Sequence, residues 1–243
     1  MCPSMKNSTL SVVVPARDEE DNLAGAVETL LSVVDGRVDD YEVFIVDDGS
    51  TDGTGTVAER LASEHPRVFA LHNEHPRGLG GVIRQGLERA RMTHFLWVDG
   101  KGATTAEALD AILARGDEAD LVVPYPVNQK ERPMLRRLIS RAFVGILNVT
   151  FGLRLHYYTH VLLCRTEAAA GVRVHSDSTA GLAERLIKLI KAGHSYVEVG
   201  VEDVYGDEGR RTKAFKLRNI TGVAAFYLRT VWEVYVQKVG KQM

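Results

Sequence analysis

Val46-Asp47-Asp48-Gly49-Ser50-Thr51-Asp52-Gly53-Thr54 (46–54) is the stretch on which the fold turns. Val43 to Val46 ahead of it is a short apolar run and reads as a buried strand. Helix signals resume from Thr54 to Ala62. The segment between is turn-rich and acidic. Aspartates at a strand end can accept hydrogen bonds from a base or a ribose, and a glycine lets the backbone turn tightly. Ser50 or Asp52 would equally cap the following helix over a solvated turn. On these residues alone both readings stand.

Outward from that turn the pattern repeats. Leu10 to Val14 reads as a buried parallel strand stopped by Pro15. Asp18 to Asn22 opens a helix carrying Leu23, Val27, Leu30 and Leu31 at helical spacing. Val68 to Leu71 is a third strand. Gly78, Gly80 and Gly81 open a helix through Arg91. Phe95 to Val98 is a fourth strand ending at Asp99, Thr105 to Ala114 a helix, and Leu121 to Val123 a fifth strand. Alternation of this kind predicts an α/β fold, a mostly parallel sheet with helices on both faces. Ligands in such sheets bind beyond the carboxyl ends of the strands. Pro15 to Glu19, Asp47 to Asp52, Arg77 to Gly81 and Asp99 to Gly102 all fall on that rim.

The character changes after Arg132. Leu135, Leu138, Ile139, Ala142, Phe143, Ile146 and Leu147 form an apolar stripe beside Arg132, Arg136, Arg137 and Arg141. This reads either as a core-packing helix with a solvated basic face or as a helix lying on an anionic membrane surface. A helix follows Gly181 through Ala192, capped by Gly193. Tyr196 to Val201 is a strand, and the tail from Phe215 is helical.

The 243 residues suffice for one large α/β domain. A net charge of −2 argues against nucleic-acid binding. Cys2 and Cys164 do not make a disulfide framework, which fits a reducing compartment. The opening residues lack a signal-peptide core, and no apolar run reaches the length of a membrane-spanning helix. The expectation is a cytoplasmic protein, peripheral at the inner face of the membrane if the basic helix docks there.

Val-Val-Val-Pro-Ala-Arg-Asp-Glu-Glu-Asp-Asn (12–22), followed by residues 46–54, resembles the opening of glycosyltransferase family 2. Arg77-Gly78-Leu79-Gly80-Gly81, residues 136–141 with 151–154, and residues 183–193 with 197–199 resemble segments of its dolichol- and polyprenyl-phosphate mannosyl- and glucosyltransferases. The resemblance covers roughly residues 10 to 220 and is looser in its second half. It implies the GT-A fold over 10–219, with a disordered leader at 1–9 and a helical tail at 220–243. It implies a nucleotide-sugar pocket lined by Pro15, Ala16, Arg17 and Glu19. Asp47 would meet the base, Asp48 and Ser50 would support the turn, and Gly78 and Gly80 would admit ribose and phosphates. Gly209 to Lys213 resembles the family's Gly-x-Ser-Lys turn with one insertion, so Lys213, with Arg210 or Arg211, would neutralise phosphate.

Two departures matter. The family's Asp-x-Asp, which holds a divalent cation, is Asp99-Gly100-Lys101 here. Mg²⁺ and Mn²⁺ prefer carboxylate oxygens, so a lysine in place of the second aspartate weakens that site. Three readings follow: Lys101 replaces the metal electrostatically, the metal survives on Asp99, or the chain binds a nucleotide-sugar without transferring it. The acceptor segment also differs, running Leu155-His156-Tyr157-Tyr158-Thr159-His160 and reading as a strand in which His156 or His160 could contact the acceptor. Glu184 falls where the family has an acidic residue. It reads as a general base for a hydroxyl acceptor, or as a surface charge paired with Lys188.

The resemblance thus implies an inverting transfer from a GDP- or UDP-sugar to a polyprenyl-phosphate or small-molecule acceptor. A nucleotide-sugar-binding protein and a soluble tailoring transferase are the alternatives. A nucleotidyltransferase would want a glycine-rich basic loop after the first strand, where this chain has Pro15-Ala16-Arg17-Asp18-Glu19.

Overall fold

A computed structural model describes Met5, residues 8–205 and residues 217–237, with side chains from 222 onward in the last segment. Its centre is a seven-stranded sheet in the order β3-β2-β1-β4-β6-β5-β7. Strands β1 (Thr9–Ala16), β2 (Asp40–Asp47), β3 (Val68–His72) and β4 (His94–Trp97) are mutually parallel. Val12, Val13 and Val14 of β1 and Val43, Ile45 and Val46 of β2 are almost wholly buried, as strands covered on both faces must be. Helices α1 (Leu23–Val34), α2 (Thr54–Glu64) and α3 (Gly78–Leu87) link them. Gly86 of α3 lies so close to Val13 that an added Cβ would overlap its methyls. That glycine lets helix and strand meet.

Helix α4 (Ala106–Leu113) leads into β5 (Leu121–Pro126), and β7 (Tyr196–Val201) pairs parallel to β5. Between β4 and β5 the chain inserts β6 (Leu163–Arg165), antiparallel to both. It carries Cys164, buried, with its thiol pushed up to about 12 by desolvation. Strand β6 is the return from an excursion: helix α5 (Met134–Phe151), then a loop. Helices α6 (Thr166–Ala170) and α7 (Ala180–Lys191) follow, and α8 (Leu217–Tyr235) closes the described chain.

Three expectations need correcting or extending. The segment 155–160, read as a strand, is loop. Its aromatic and β-branched residues favour strand locally, but no neighbouring strand pairs with it. Within the segment read as a leader, Met5 and Ser8 are buried; Met5 covers Gly116, and the Ser8 hydroxyl donates to Asp117. Helix α5 does not sink its whole apolar stripe into the core. Only Leu147 and Phe151 are buried, while Met134, Leu135, Leu138, Ile146 and Val149 are exposed.

Among the described residues no helix is long and apolar enough to cross a membrane.

Candidate active site

The chain runs β1-β2-β3 to one side and returns to β4 on the other side of β1. This puts the switch point, and so the crevice, beyond the ends of β1 and β4. The loops there are tied together by backbone. The Asp48 amide donates to Ala16 O at 2.8 Å, and the Gly100 amide donates to Pro15 O at 3.1 Å. Pro15 and Ala16 are thus the floor on which the β2 and β4 loops rest.

Asp18, with φ at +54°, binds the first loop to the second. Its carboxylate accepts from the Thr51 amide at 2.8 Å, and its own amide donates to Ser50 Oγ at 3.0 Å. The Glu19 amide donates to Thr54 Oγ1 at 2.8 Å, and Glu20 accepts from the Gly53 amide at 2.6 Å. Arg17 is exposed beside this seam.

Asp47 accepts from the Ser50 amide at 3.0 Å and faces His72 Nδ1 at 3.2 Å. Burial would raise its carboxyl, but the Ser50 hydrogen bonds and His72 outweigh that and hold it below the usual range. It is therefore an ionised acceptor at neutral pH. Asp48 turns the other way. Its carboxylate accepts from Asn73 Nδ2 at 3.1 Å and from the Arg77 and Gly78 amides at 2.7 and 2.9 Å. It holds the first turn of α3 against the rim.

Gly78 and Gly80 make their close approach to the chain itself. The Gly80 amide donates to Asp177 O at 2.9 Å, and a Cβ on Gly78 would lie 2.5 Å from that same oxygen. A Cβ on Gly80 would fall on Ser176 O. The segment 174–178 is thus a strap seated on the glycine turn, and Arg84 fastens it through Val174 O and Asp177.

Glu184 builds that strap. Its carboxylate is 1% exposed and accepts from the His175 and Ser176 amides at 3.0 and 2.9 Å and from Lys188 Nζ at 2.7 Å. Burial would raise its carboxyl, but Lys188 and the two amides overcome this and lower it. Both earlier readings of Glu184 need correcting. The Lys188 pairing exists but is buried rather than on the surface, and a carboxylate committed to three donors is not poised as a base. Lys188 Nζ also lies 2.5 Å from Glu233 Oε2 of α8, and His175 Nε2 lies 3.0 Å from Glu233 Oε1. His175, Glu184 and Glu233 are the one group of three metal-ligating side chains among the described residues, and an ammonium already lies between the two carboxylates.

Asp99 folds onto its own loop, accepting from the Ala103 amide at 2.9 Å and from Thr104 Oγ1 at 3.1 Å. Lys101 is exposed, with no acidic partner among the described residues. One carboxylate already engaged with its loop, followed by a cation two residues on, does not fit a strong Mg²⁺ or Mn²⁺ site.

Beside the Asp99 loop stands a cluster of which the sequence reading offered only His160 as an acceptor contact. The Thr104–Asp203 bridge and the Val204 amide on Ala103 O join that loop to residues 203–205. His160 Nε2 meets Asp203 Oδ1 at 2.9 Å. Arg132 donates to the Tyr157 hydroxyl at 3.0 Å and lies over the Tyr205 ring at 5.5 Å. Burial and the neighbouring Arg132 charge lower the Arg136 guanidinium. Burial, with help from Asp203, raises the Tyr205 hydroxyl to about 12. Arg132 Nε, His160 Nδ1 and the Tyr205 hydroxyl are buried without a hydrogen-bond partner. Two orphaned donors, Arg132 Nε and the Tyr205 hydroxyl, with the Arg136 guanidinium beside them, suit an anion. His156 is not in this cluster; it stacks on Tyr125 and is held by Glu198 at 3.0 Å. Arg210, Arg211 and Lys213 lie outside the described residues.

Comparison with known proteins places the family and the fold. The Glycosyl transferase family 2 model matches residues 11–181. Glycosyltransferase AglD of Haloferax volcanii is 30% identical over 94% of this chain and 38% of its own length. Dolichyl-phosphate beta-glucosyltransferase of Homo sapiens is 39% identical over 39% of this chain and 32% of its own. Undecaprenyl-phosphate mannosyltransferase of Micrococcus luteus is 30% identical over 69% and 66%. The chain thus spans only about a third of the length of the first two of these relatives. Glucosyl-3-phosphoglycerate synthase from Mycobacterium tuberculosis, solved with Mn²⁺, UDP-glucose and phosphoglyceric acid, superposes with a TM-score of 0.70 at 19% identity. The match covers 92% of this chain and 80% of that one. At that identity it establishes the fold, and the expected GT-A architecture is the one found.

Proposed function

We propose, from the premise that the chain belongs to glycosyl transferase family 2, that it moves a hexose with inversion from a GDP- or UDP-sugar to a phosphate acceptor. In this reading Lys101 supplies the positive charge that a divalent metal supplies elsewhere. The observation that carries it is the β4 end, where Asp99 is folded onto its loop and the Lys101 ammonium stands exposed on the crevice rim. An acceptor phosphate oxygen attacks the anomeric carbon. The bond from that carbon to the nucleotide diphosphate breaks, its electron pair leaves on the diphosphate, and configuration inverts. The enzyme's tasks are alignment and stabilisation of the charge on the leaving group.

The donor base would meet Asp47, with Arg17 and Glu19 beside it and Pro15 and Ala16 beneath. Asp48 and Ser50 would hold the turn, and Gly78 and Gly80 would set the glycine turn under its strap. Lys213, Arg210 and Arg211 are assigned to phosphate by the family resemblance. A phosphate nucleophile is already anionic at neutral pH and needs little help from a base, which agrees with the commitment of Glu184 to the strap. The acceptor phosphate is assigned to Arg132, Arg136 and Tyr205, with His160 at the edge. His156, held by Glu198, has at most a supporting part.

The polyprenyl-phosphate names among the relatives support a lipid acceptor. The phosphoglyceric acid complex supports a small soluble phosphate as the second reading, since the same arginines would suit either. The test is a transfer assay with UDP-glucose and GDP-mannose against undecaprenyl phosphate and 3-phosphoglycerate. Nucleoside diphosphate release and the anomeric configuration of the product are followed. Inversion with one acceptor is expected, and Arg132→Ala should raise the acceptor KM at least about tenfold with donor affinity unchanged. Retention of configuration, or no release with any pair, would overturn the assignment; donor binding without release would leave a nucleotide-sugar-binding protein.

A further inference from the structure

We infer that the outer faces of α5 and α8 together dock on an anionic lipid bilayer. The inference deepens the proposed function, on which it rests for the nature of the acceptor, by selecting a lipid-borne phosphate over a soluble one.

Helix α5 is apolar on two sides and has a partner on one. Phe143, Val144, Leu147 and Phe151 face the core. Leu135, Leu138, Ala142, Ile146 and Val149 recur at three- and four-residue spacing along the opposite face and are exposed, Val149 to 86%. Met134, at 71%, extends that face at its start. Helix α8 repeats the arrangement. Phe226, Thr230 and Glu233 are buried, while Leu228, Trp232, Tyr235 and Val236 stand out. The two helices meet where Thr150 Oγ1 and the Tyr227 hydroxyl lie 2.8 Å apart and Phe151 stacks on Tyr235. An apolar surface of this extent on a folded chain marks a contact site.

Charge selects the occupant. Residues 134–151 contain no acidic side chain. Residues 222–237 contain one, Glu233, which is buried against Lys188 and His175. Arg137, Arg141 and Arg229 border the stripes with no acidic partner among the described residues. A second copy of this face would set arginine against arginine. An anionic bilayer supplies both the apolar depth and the negative surface, and Trp232 and Tyr235 are the residue types that settle at its headgroup level. Arg132, about one turn before the stripe, and Arg136, within its first turn, would then hold the acceptor phosphate at the lipid surface. In that arrangement the α5 helix itself sets the height of the crevice above the membrane.

The experiment is vesicle flotation of the full chain, without donor or acceptor. The vesicles are phosphatidylcholine alone or phosphatidylcholine with about a third phosphatidylglycerol. The chain should float with the anionic vesicles, less so as salt is raised, and little with the neutral ones. Leu138→Glu with Val149→Glu, and separately Arg137→Glu with Arg141→Glu, should each weaken partitioning at least about tenfold. Thermal unfolding and affinity for whichever of UDP-glucose and GDP-mannose the chain binds should stay unchanged in both, which shows that they fold. Absence of flotation, or flotation indifferent to both pairs, would overturn the inference. So would concentration-dependent dimerisation abolished by the Leu138 and Val149 changes, which would make the face an interface between copies. Vesicle binding needs no chemistry, so failure of the unaltered chain to float while it still transfers to 3-phosphoglycerate refutes the docking alone, and docking without transfer to any acceptor refutes the proposed reaction alone.

Discussion

Replacing Lys188 with methionine is expected to lower the unfolding free energy by about 3–5 kcal/mol, because it leaves two buried carboxylates without their shared cation. Lys188 and Glu184 are each 1% exposed, and Glu233 is 10% exposed. The ammonium also donates to Arg173 O at 2.6 Å, so one group joins α7, α8 and the start of the strap. Methionine keeps the volume and removes the charge. For a chain of this length that loss corresponds to a fall in Tm of roughly 10 °C. Lys188→Met combined with Glu233→Gln should recover part of it, since one unpaired charge is gone. Thermal unfolding of the three proteins checks this. A loss under about 1 kcal/mol for Lys188→Met would mean that water reaches the carboxylates and the clasp does not hold the helices.

Lys101 carries the second large effect. Lys101→Ala is expected to reduce kcat by about 10²–10³-fold, the range for removing one preorganised charge from a developing anion. Donor affinity should fall much less, because the nucleotide contacts proposed around Asp47 are untouched. Lys101→Asp is the more discriminating change. It restores the Asp-x-Asp pattern, so activity should be nearly absent in EDTA and return in part on adding Mn²⁺. The wild type should show no such dependence. If Lys101→Ala retains full turnover, or the wild type is inactivated by EDTA, Lys101 has no part in stabilising the leaving group.

The rim proposed for the donor was legible because its information is local. The acidic turn, the glycine turn and the end of β4 each follow a strand directly, and alternation of strand and helix sets all of them on one rim. What could not be read depends on distant pairings. The strap 174–178 that needs Gly78 and Gly80 lies about a hundred residues beyond them. Glu233 reaches Lys188 from another helix, and Asp203 reaches His160 from across a strand. Residues 155–160 read as strand because their side chains suit one, yet a strand needs a paired neighbour, which periodicity does not report. The same limit applies to α5. Its stripe was plain, but a stripe says that one face is apolar and not which face has a partner. Glu184 was placed on a helix beside Lys188 correctly, and only the packing of α8 and the strap over it made the pair buried.

The most direct test of a donor site in which Lys101 replaces the metal is a calorimetric titration of the chain with UDP-glucose and GDP-mannose, first with Mn²⁺ and then in EDTA. One of the two should bind with the same affinity in both conditions. Binding that vanishes in EDTA would contradict a donor site in which Lys101 replaces the metal. Binding of neither sugar nucleotide in either condition would contradict the donor site itself.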